Sequence, residues 1–508
     1  METQRSQKAK MNISVSLVKQ IITLICGLIV PRVMLTAFGS EANGAVSSIA
    51  QFLAYITLLE GGIGGVARAT LYKPLAAEDR KVIGSIMFEI QHFFRLIGYL
   101  FAAYVIVLAC SFSTISRIEC FDWLNTAILV VVISISTFGQ YFIGISYSIL
   151  IQASQRNYIT DGLAGITTIL NTLVILLLVH FGCSLIVVKL ASSIVFIFRP
   201  YLMMIYVKRK FGIRIEGKRG SNYLSQKWTG LGQHIAYFLH SNTDVSVLTI
   251  FRDLKLVSVY SVYHMVVYQI QNVTVSFSSG LEALFGNMLA NHEIDTMNRT
   301  FNLYETMISI ISSILFGTTL GMILPFVRIY TAAITDADYI QPLFATLLTI
   351  ASVLFCWKLP YQAAVHSAGH YKQTRIGAYG EALINIVVSI ILVIKLGLVG
   401  VAIGTILATL FRLLYYVVYL SKNIIRREIS MFFRRQMVNV LNLTILFLLG
   451  QILNRNVEIS GFIVWLPVAA LFFIASVLVT MLLNILFYRE TTLMVFSRLR
   501  NRITHKAH

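Results

Sequence analysis

The chain has 508 residues, of which 57% are hydrophobic and only 12% charged, and its mean hydropathy is +0.77. Soluble chains carry about 25% charged residues, so a string of water-soluble domains is excluded. The net charge of +19 raises nucleic acid as a partner, but that would need basic residues gathered on a soluble face.

A bilayer core of about 30 Å takes about 20 apolar residues per helix. By that criterion the chain divides into about fourteen predicted spans. In chain order they are 13–38, 45–66, 83–111, 124–151, 162–181, 184–207, 233–251, 256–278, 303–330, 341–366, 376–395, 398–420, 437–453 and 462–487. The first is preceded by Arg5, Lys8 and Lys10, has no small-x-small cleavage site, and is expected to stay as an uncleaved helix. Basic residues concentrate on alternate loops: Lys73, Arg80 and Lys81; Arg156; Lys208 to Lys227; Arg299; Lys372 and Arg375; Lys422 to Arg435; and the C-terminal tail. The opposite loops hold few. This is the positive-inside pattern, with both termini on the cytoplasmic side. The basic surplus is therefore a topology signal, and nucleic acid is not an expected partner. Cys26, Cys110, Cys120, Cys183 and Cys356 are scattered, so neither a disulfide framework nor a metal site is expected.

An internal repeat emerges at an offset of about 213–215 residues. Tyr158, Asn171, Gly182 and Arg199 correspond to Tyr371, Asn385, Gly397 and Arg412. The chain then parses into a six-helix bundle (1–210), a cytoplasmic linker (211–232), a second six-helix bundle (233–421), a second linker (422–436), two additional spans (437–488) and a basic tail (489–508). Six is even, so the repeats are parallel, and the expected fold is an all-α polytopic membrane protein with two bundles around a central cavity.

Charges inside spans cost about 2.5–3.5 kcal/mol each on insertion scales and should face partners or a wet cavity. Arg32 follows Pro31 in span one, while Lys19 lies where it could equally snorkel. Glu60, Gly64 and Arg68, at i, i+4 and i+8, share one helix face, as a packing seam with an ion pair or as a hinge with a gate charge. Arg95, Lys189, Lys358 and Arg412 are further intramembrane cations. Glu381, Asn385 and Ser389 form a polar stripe at i, i+4, i+8. Gln233, Tyr237, His240 and Asp244, with Asn242 beside them, mark one polar helix face, and Tyr260, His264, Gln271 and Asn272 continue it. Arg, Lys and polar aromatic groups suit an anionic amphiphile such as a pyrophosphate-linked sugar. The candidate substrate-binding set is Arg32, Arg68, Arg95, Lys189, His240, Asn242, Tyr260, His264, Gln271, Lys358 and Arg412. Glu60, Asp244, Glu381 and Asn385 are candidates for gating or ion coupling.

The stretch from Pro31-Arg32 through Phe38-Gly39-Ser40-Glu41 to Gly44, then Gln51, Gly61-Gly62-Ile63-Gly64, Leu71-Tyr72-Lys73-Pro74-Leu75 and Gln155-Arg156-Asn157-Tyr158, resembles the polysaccharide-transporter or O-antigen flippase family. That group belongs to a superfamily with multidrug antiporters and lipid II flippases. The resemblance implies a non-enzymatic transporter of the bacterial inner membrane. It would carry undecaprenyl-pyrophosphate-linked oligosaccharide outward by alternating access for surface-polysaccharide synthesis. It also implies no bound cofactor, coupling to a proton or sodium gradient, and polysaccharide polymerase and chain-length machinery as partners. Arg32 matches the family's first-helix arginine, and the last two spans are expected to form a groove for the polyprenyl tail. A cation-coupled multidrug antiporter is the alternative. A membrane polymerase or ligase is a weaker one, because the outer loops are too short for a catalytic domain.

Overall fold

Backbone groups in a bilayer have no water to bond, so an apolar chain must satisfy them within helices or a closed barrel. The computed structural model describes residues 2–60, 63–216, 231–278 and 280–504, with side chains except at 2–6, 9, 231–237, 239–241, 496 and 498–504. Its regular elements are all helical. They are α1 (Glu2–Ala54), a 3-10 turn (Tyr55–Glu60), α2 (Ile63–Ala76), α3 (Arg80–Ser116), α4 (Trp123–Gly139), a π turn (Gln140–Gly144), α5 (Ile145–Ala153), α6 (Asn157–His180) and α7 (Leu185–Phe211). There follow α8 (Leu231–Phe251), α9 (Leu254–Ser278), α10 (Leu281–Ala290), α11 (Ile294–Tyr330), α12 (Pro342–Ser367), α13 (Arg375–Leu396), α14 (Leu398–Asn423), α15 (Ile429–Asn456) and α16 (Phe462–Thr504).

Eleven segments among the described residues are long and apolar enough to cross a membrane. One of them, Lys10–Glu60, spans 51 residues and contains the first predicted span and most of the second. It bends at Gly39, whose φ of 80° is open chiefly to glycine. The predicted spans 233–251 and 256–278 fall in α8 and α9, outside the eleven. The polar residues they carry lower their hydropathy. The chain is an all-α, multi-pass membrane protein.

Two units can be described, each by itself. The first comprises Met1–Phe238 with Asp253–Ser258. In it α1 packs on α6, and α4 packs on both α3 and α7. Its core includes Ile49, Phe94, Phe101 and Phe112, all essentially inaccessible. The second comprises Leu239–Arg252 with Val259–His508. There α14 packs on α12 and α13, and α11 packs on α12, α15 and α16. Small residues let the backbones close: Gly321 meets Phe472 and Gly450, and Gly317 meets Leu446.

The repeat is visible in backbone detail. Helices α3 and α11 each have 37 residues, and their start and end points differ by about 214 positions. Left-handed residues that close helix ends recur in the same register: Glu78 with His292, Gln155 with Gly369, Gly182 with Gly397, and Gly212 with Arg426. Side-chain pairs recur too. Arg156 donates to the Tyr206 hydroxyl at 2.9 Å, and His370 Nδ1 lies 3.0 Å from the Tyr419 hydroxyl at the corresponding positions.

Candidate functional site: a polar column in the second unit

The predicted stripe on α13 is the axis of a buried polar column. Glu381, Asn385 and Ser389 are 7%, 0% and 0% exposed, so all three face protein. Helix α14 comes close enough to cover them because it carries Gly400 and Gly404. A Cβ at Gly404 would strike Ser389 Oγ, and one at Gly400 would strike the Leu392 carbonyl.

At one level of the column Asp244 of α8 accepts hydrogen bonds from Tyr260 of α9, at 2.9 Å, and Thr405 of α14, at 3.2 Å. Asn385 Nδ2 donates to Thr405 Oγ1 at 3.1 Å. Asn385 Oδ1 is buried and accepts nothing. Asp244 thus has neutral partners here, in an oxygen-rich setting. Along α9 the rings of Tyr260, His264 and Tyr268 stack at 5.3 and 5.2 Å.

One helical turn away, Glu381 lies between two cations. Lys358 Nζ of α12 sits 2.7 Å from Oε1, and Arg412 Nε of α14 sits 3.7 Å from Oε2. The arginine also donates to the Thr374 carbonyl at 2.8 Å and to the Tyr416 hydroxyl at 2.6 Å. Tyr416 in turn lies 3.3 Å from His366 Nε2, and His366 Nδ1 lies 3.2 Å from Glu282 of α10. The chain of contacts leads from the buried triad to a carboxylate whose side chain is 53% exposed.

The first unit distributes its charges differently. Glu60 belongs to the 3-10 turn Tyr55–Glu60, not to an α-helix as expected, while Gly64 and Arg68 lie in α2. A 3-10 turn winds three residues per turn and breaks the 3.6 register. Glu60 instead accepts from Tyr141 at 2.5 Å, and Tyr141 is carried on the π turn between α4 and α5. Arg68 donates to the neutral amide of Gln152 at 2.6 Å. The hinge glycines Gly61 and Gly62 lie outside the described residues. Lys189 is half-buried on α7 without an ion pair or hydrogen bond among the described residues. Arg32 is half-buried and Arg95 exposed. Lys19 pairs with Asp161 at 3.0 Å. In the second unit Asn242 and Gln271 are half-buried, while the side chain of His240 lies outside the described residues. Glu41 of the motif accepts the backbone N–H groups of Glu119 and Cys120 at 2.6 and 3.1 Å.

One cluster was not anticipated. Arg427 and Arg435, expected as ordinary loop charges, are buried against Glu305 of α11. Arg427 Nη2 is 2.5 Å from Glu305 Oε2, and Arg435 Nε is 3.6 Å from it. Tyr361 donates to the same carboxylate, and Tyr488 of α16 lies under Arg435 at 4.9 Å. The cluster ties α11, α12, α15 and α16 together. The available signal was Glu305 itself, a carboxylate inside an apolar run.

No protein-family profile and no curated protein matches the chain. Among solved structures it resembles the lipid II flippase MurJ in its inward closed conformation, with a TM-score of 0.69 at 16% identity, over 94% of this chain and 99% of that one. It also resembles an inward-facing multidrug resistance MATE family transporter of the MOP superfamily, with a TM-score of 0.60 at 15% identity, over 80% of this chain and 98% of that one. The eukaryotic MATE transporter AtDTX14 matches with a TM-score of 0.58 at 12% identity, over 84% of this chain and 98% of that one. At such identities the likeness concerns architecture: the chain has the fold shared by the lipid II flippase MurJ and the MATE transporters.

Proposed function

We infer that the chain is an ion-coupled flippase. It carries undecaprenyl-pyrophosphate-linked oligosaccharide from the cytoplasmic to the outer leaflet of a bacterial inner membrane by alternating access, for surface-polysaccharide synthesis. The observation that carries this reading is the helix pair α15–α16, packed into the second unit on α11. The match to a lipid II flippase covers 94% of the chain, and so takes in part of that pair. The MATE matches cover 80% and 84%. Two further helices against a transport bundle suit a substrate with a long polyprenyl tail, for which they would line a groove.

The unmatched cations support the same reading. Lys189 has no partner among the described residues, and Arg68 has a neutral one. Such groups are available for pyrophosphate, which arginine and lysine bind through charge-assisted hydrogen bonds. The Asp244 level of the column supports ion coupling. Its carboxylate and the Thr405 hydroxyl present oxygens suited to a proton or a sodium ion in transit. Polysaccharide polymerase and chain-length machinery would then be its partners in the membrane.

The test is flipping of lipid-linked oligosaccharide in proteoliposomes, with and without sodium and pH gradients. Gradient-stimulated flipping is expected, and Asp244→Asn should remove at least tenfold of the stimulation. Efflux of cationic dyes without movement of lipid-linked sugar would replace this reading with the multidrug antiporter. Undiminished stimulation in Asp244→Asn would remove the assigned coupling site.

A further inference from the structure

On the side of the second unit away from the basic loops, the C-terminal end of α11, the start of α12 and the α15–α16 connection enclose a pocket of about 710 Å³. That lies within the range of small-ligand sites, about 300–1,000 Å³. Its chemistry differs from the apolar surroundings of a membrane helix end. Arg328 comes from α11, and Gln451, Asn454, Arg455, Asn456 and Glu458 come from the end of α15 and the following turn. Neither arginine makes an ion pair or hydrogen bond among the described residues, although Glu458 lines the same pocket. Asn454 is fixed by donating Nδ2 to the Gly321 carbonyl at 2.9 Å. Its Oδ1 is buried and has no partner.

An acceptor buried without a donor is costly unless something supplies one. Three carboxamides provide donors and acceptors in close alternation, the pattern that hydroxyl-rich ligands match. Two unpaired guanidinium groups against one carboxylate leave the pocket net cationic, and their planar forks suit a carboxylate. We propose that this pocket is a binding site for an acidic saccharide on the outer face, built by the C-terminal helix pair against α11. This rests on the flippase reading for its physiological role: the sugar part of the translocated molecule would be received there. The C-terminal pair would then contribute to sugar recognition as well as to the tail groove.

The experiment is direct binding of a uronic-acid disaccharide to the full chain in nanodiscs, with maltose as the neutral control. Saturable binding of the acidic sugar is expected, at least tenfold tighter than maltose. It should weaken at least tenfold in Arg328→Gln and in Arg455→Gln, each shown by size exclusion and circular dichroism to remain folded. No saturable binding, equal binding of maltose, or wild-type binding by both variants would overturn the proposal. Binding is measured without transport, so its failure beside normal flipping would discard this site alone. Normal sugar binding beside dye efflux without flipping would discard the transport reading and leave the site standing.

Discussion

Glu381 shows what a buried carboxylate costs and how it is kept. Its side chain is 9% exposed and that of Lys358 5%. Desolvating such ions is offset only when partners and hydrogen bonds remain in place. Replacing Glu381 with alanine would strand Lys358 and Arg412 without a counter-charge, at about 3–5 kcal/mol. Lys358→Met should cost clearly less, because Arg412 still faces the carboxylate and one buried ion is gone. Thermal unfolding of the purified variants compares them, and equal losses would contradict the triad. Asp244 differs in kind: its partners here, Tyr260 and Thr405, are neutral, so a cation has room to matter.

At the scale of elements, the column depends on the seam between α13 and α14. Neighbours of Gly400 and Gly404 include backbone atoms that cannot swing aside, with Ser389 N 2.9 Å from a Cβ placed on Gly404. Gly404→Leu should therefore destabilise the protein by about 1–3 kcal/mol through overpacking. Gly27→Ala on α1, with nothing within 4 Å, should stay within about 0.5 kcal/mol. Unfolding midpoints in detergent measure both, and an indifferent Gly404→Leu would mean that the seam is looser than described. The stripe on α13 was legible in sequence because a spacing of four depends only on helical geometry. The 3-10 winding of Tyr55–Glu60 was not, because an α-helix and a 3-10 turn share the same apolar composition.

At the scale of the whole molecule, alternating basic loops and the 214-residue register make one statement about topology. Cys120, between α3 and α4, should lie outside and the terminal segments inside. Desolvation and the neighbouring Glu41 carboxylate push its thiol up to about 12. Because the thiolate is the nucleophile, labelling by an impermeant maleimide in a background free of Cys110 and Cys183 should be slow at neutral pH. It should rise about tenfold per pH unit toward that value. Glu41→Gln removes the negative charge, lowers the thiol's pKa and should speed the reaction. Labelling only from the cytoplasmic side would invert the topology.

Sequence by itself determined that the chain is a multi-pass, all-helical membrane protein, which segments are basic, and which turn of α13 is polar. These are local or periodic properties, set by hydropathy and by the 3.6-residue repeat. Only the tertiary structure decided the partners. Asp244 meets Thr405 across 161 positions, and Glu305 meets Arg427 across 122. No local pattern encodes such distances, so arginines that read as loop charges proved to be buried. The composition that marks the chain as a membrane protein also hides these pairings. Once most residues are apolar, the few charges reveal their roles only through what the fold places beside them.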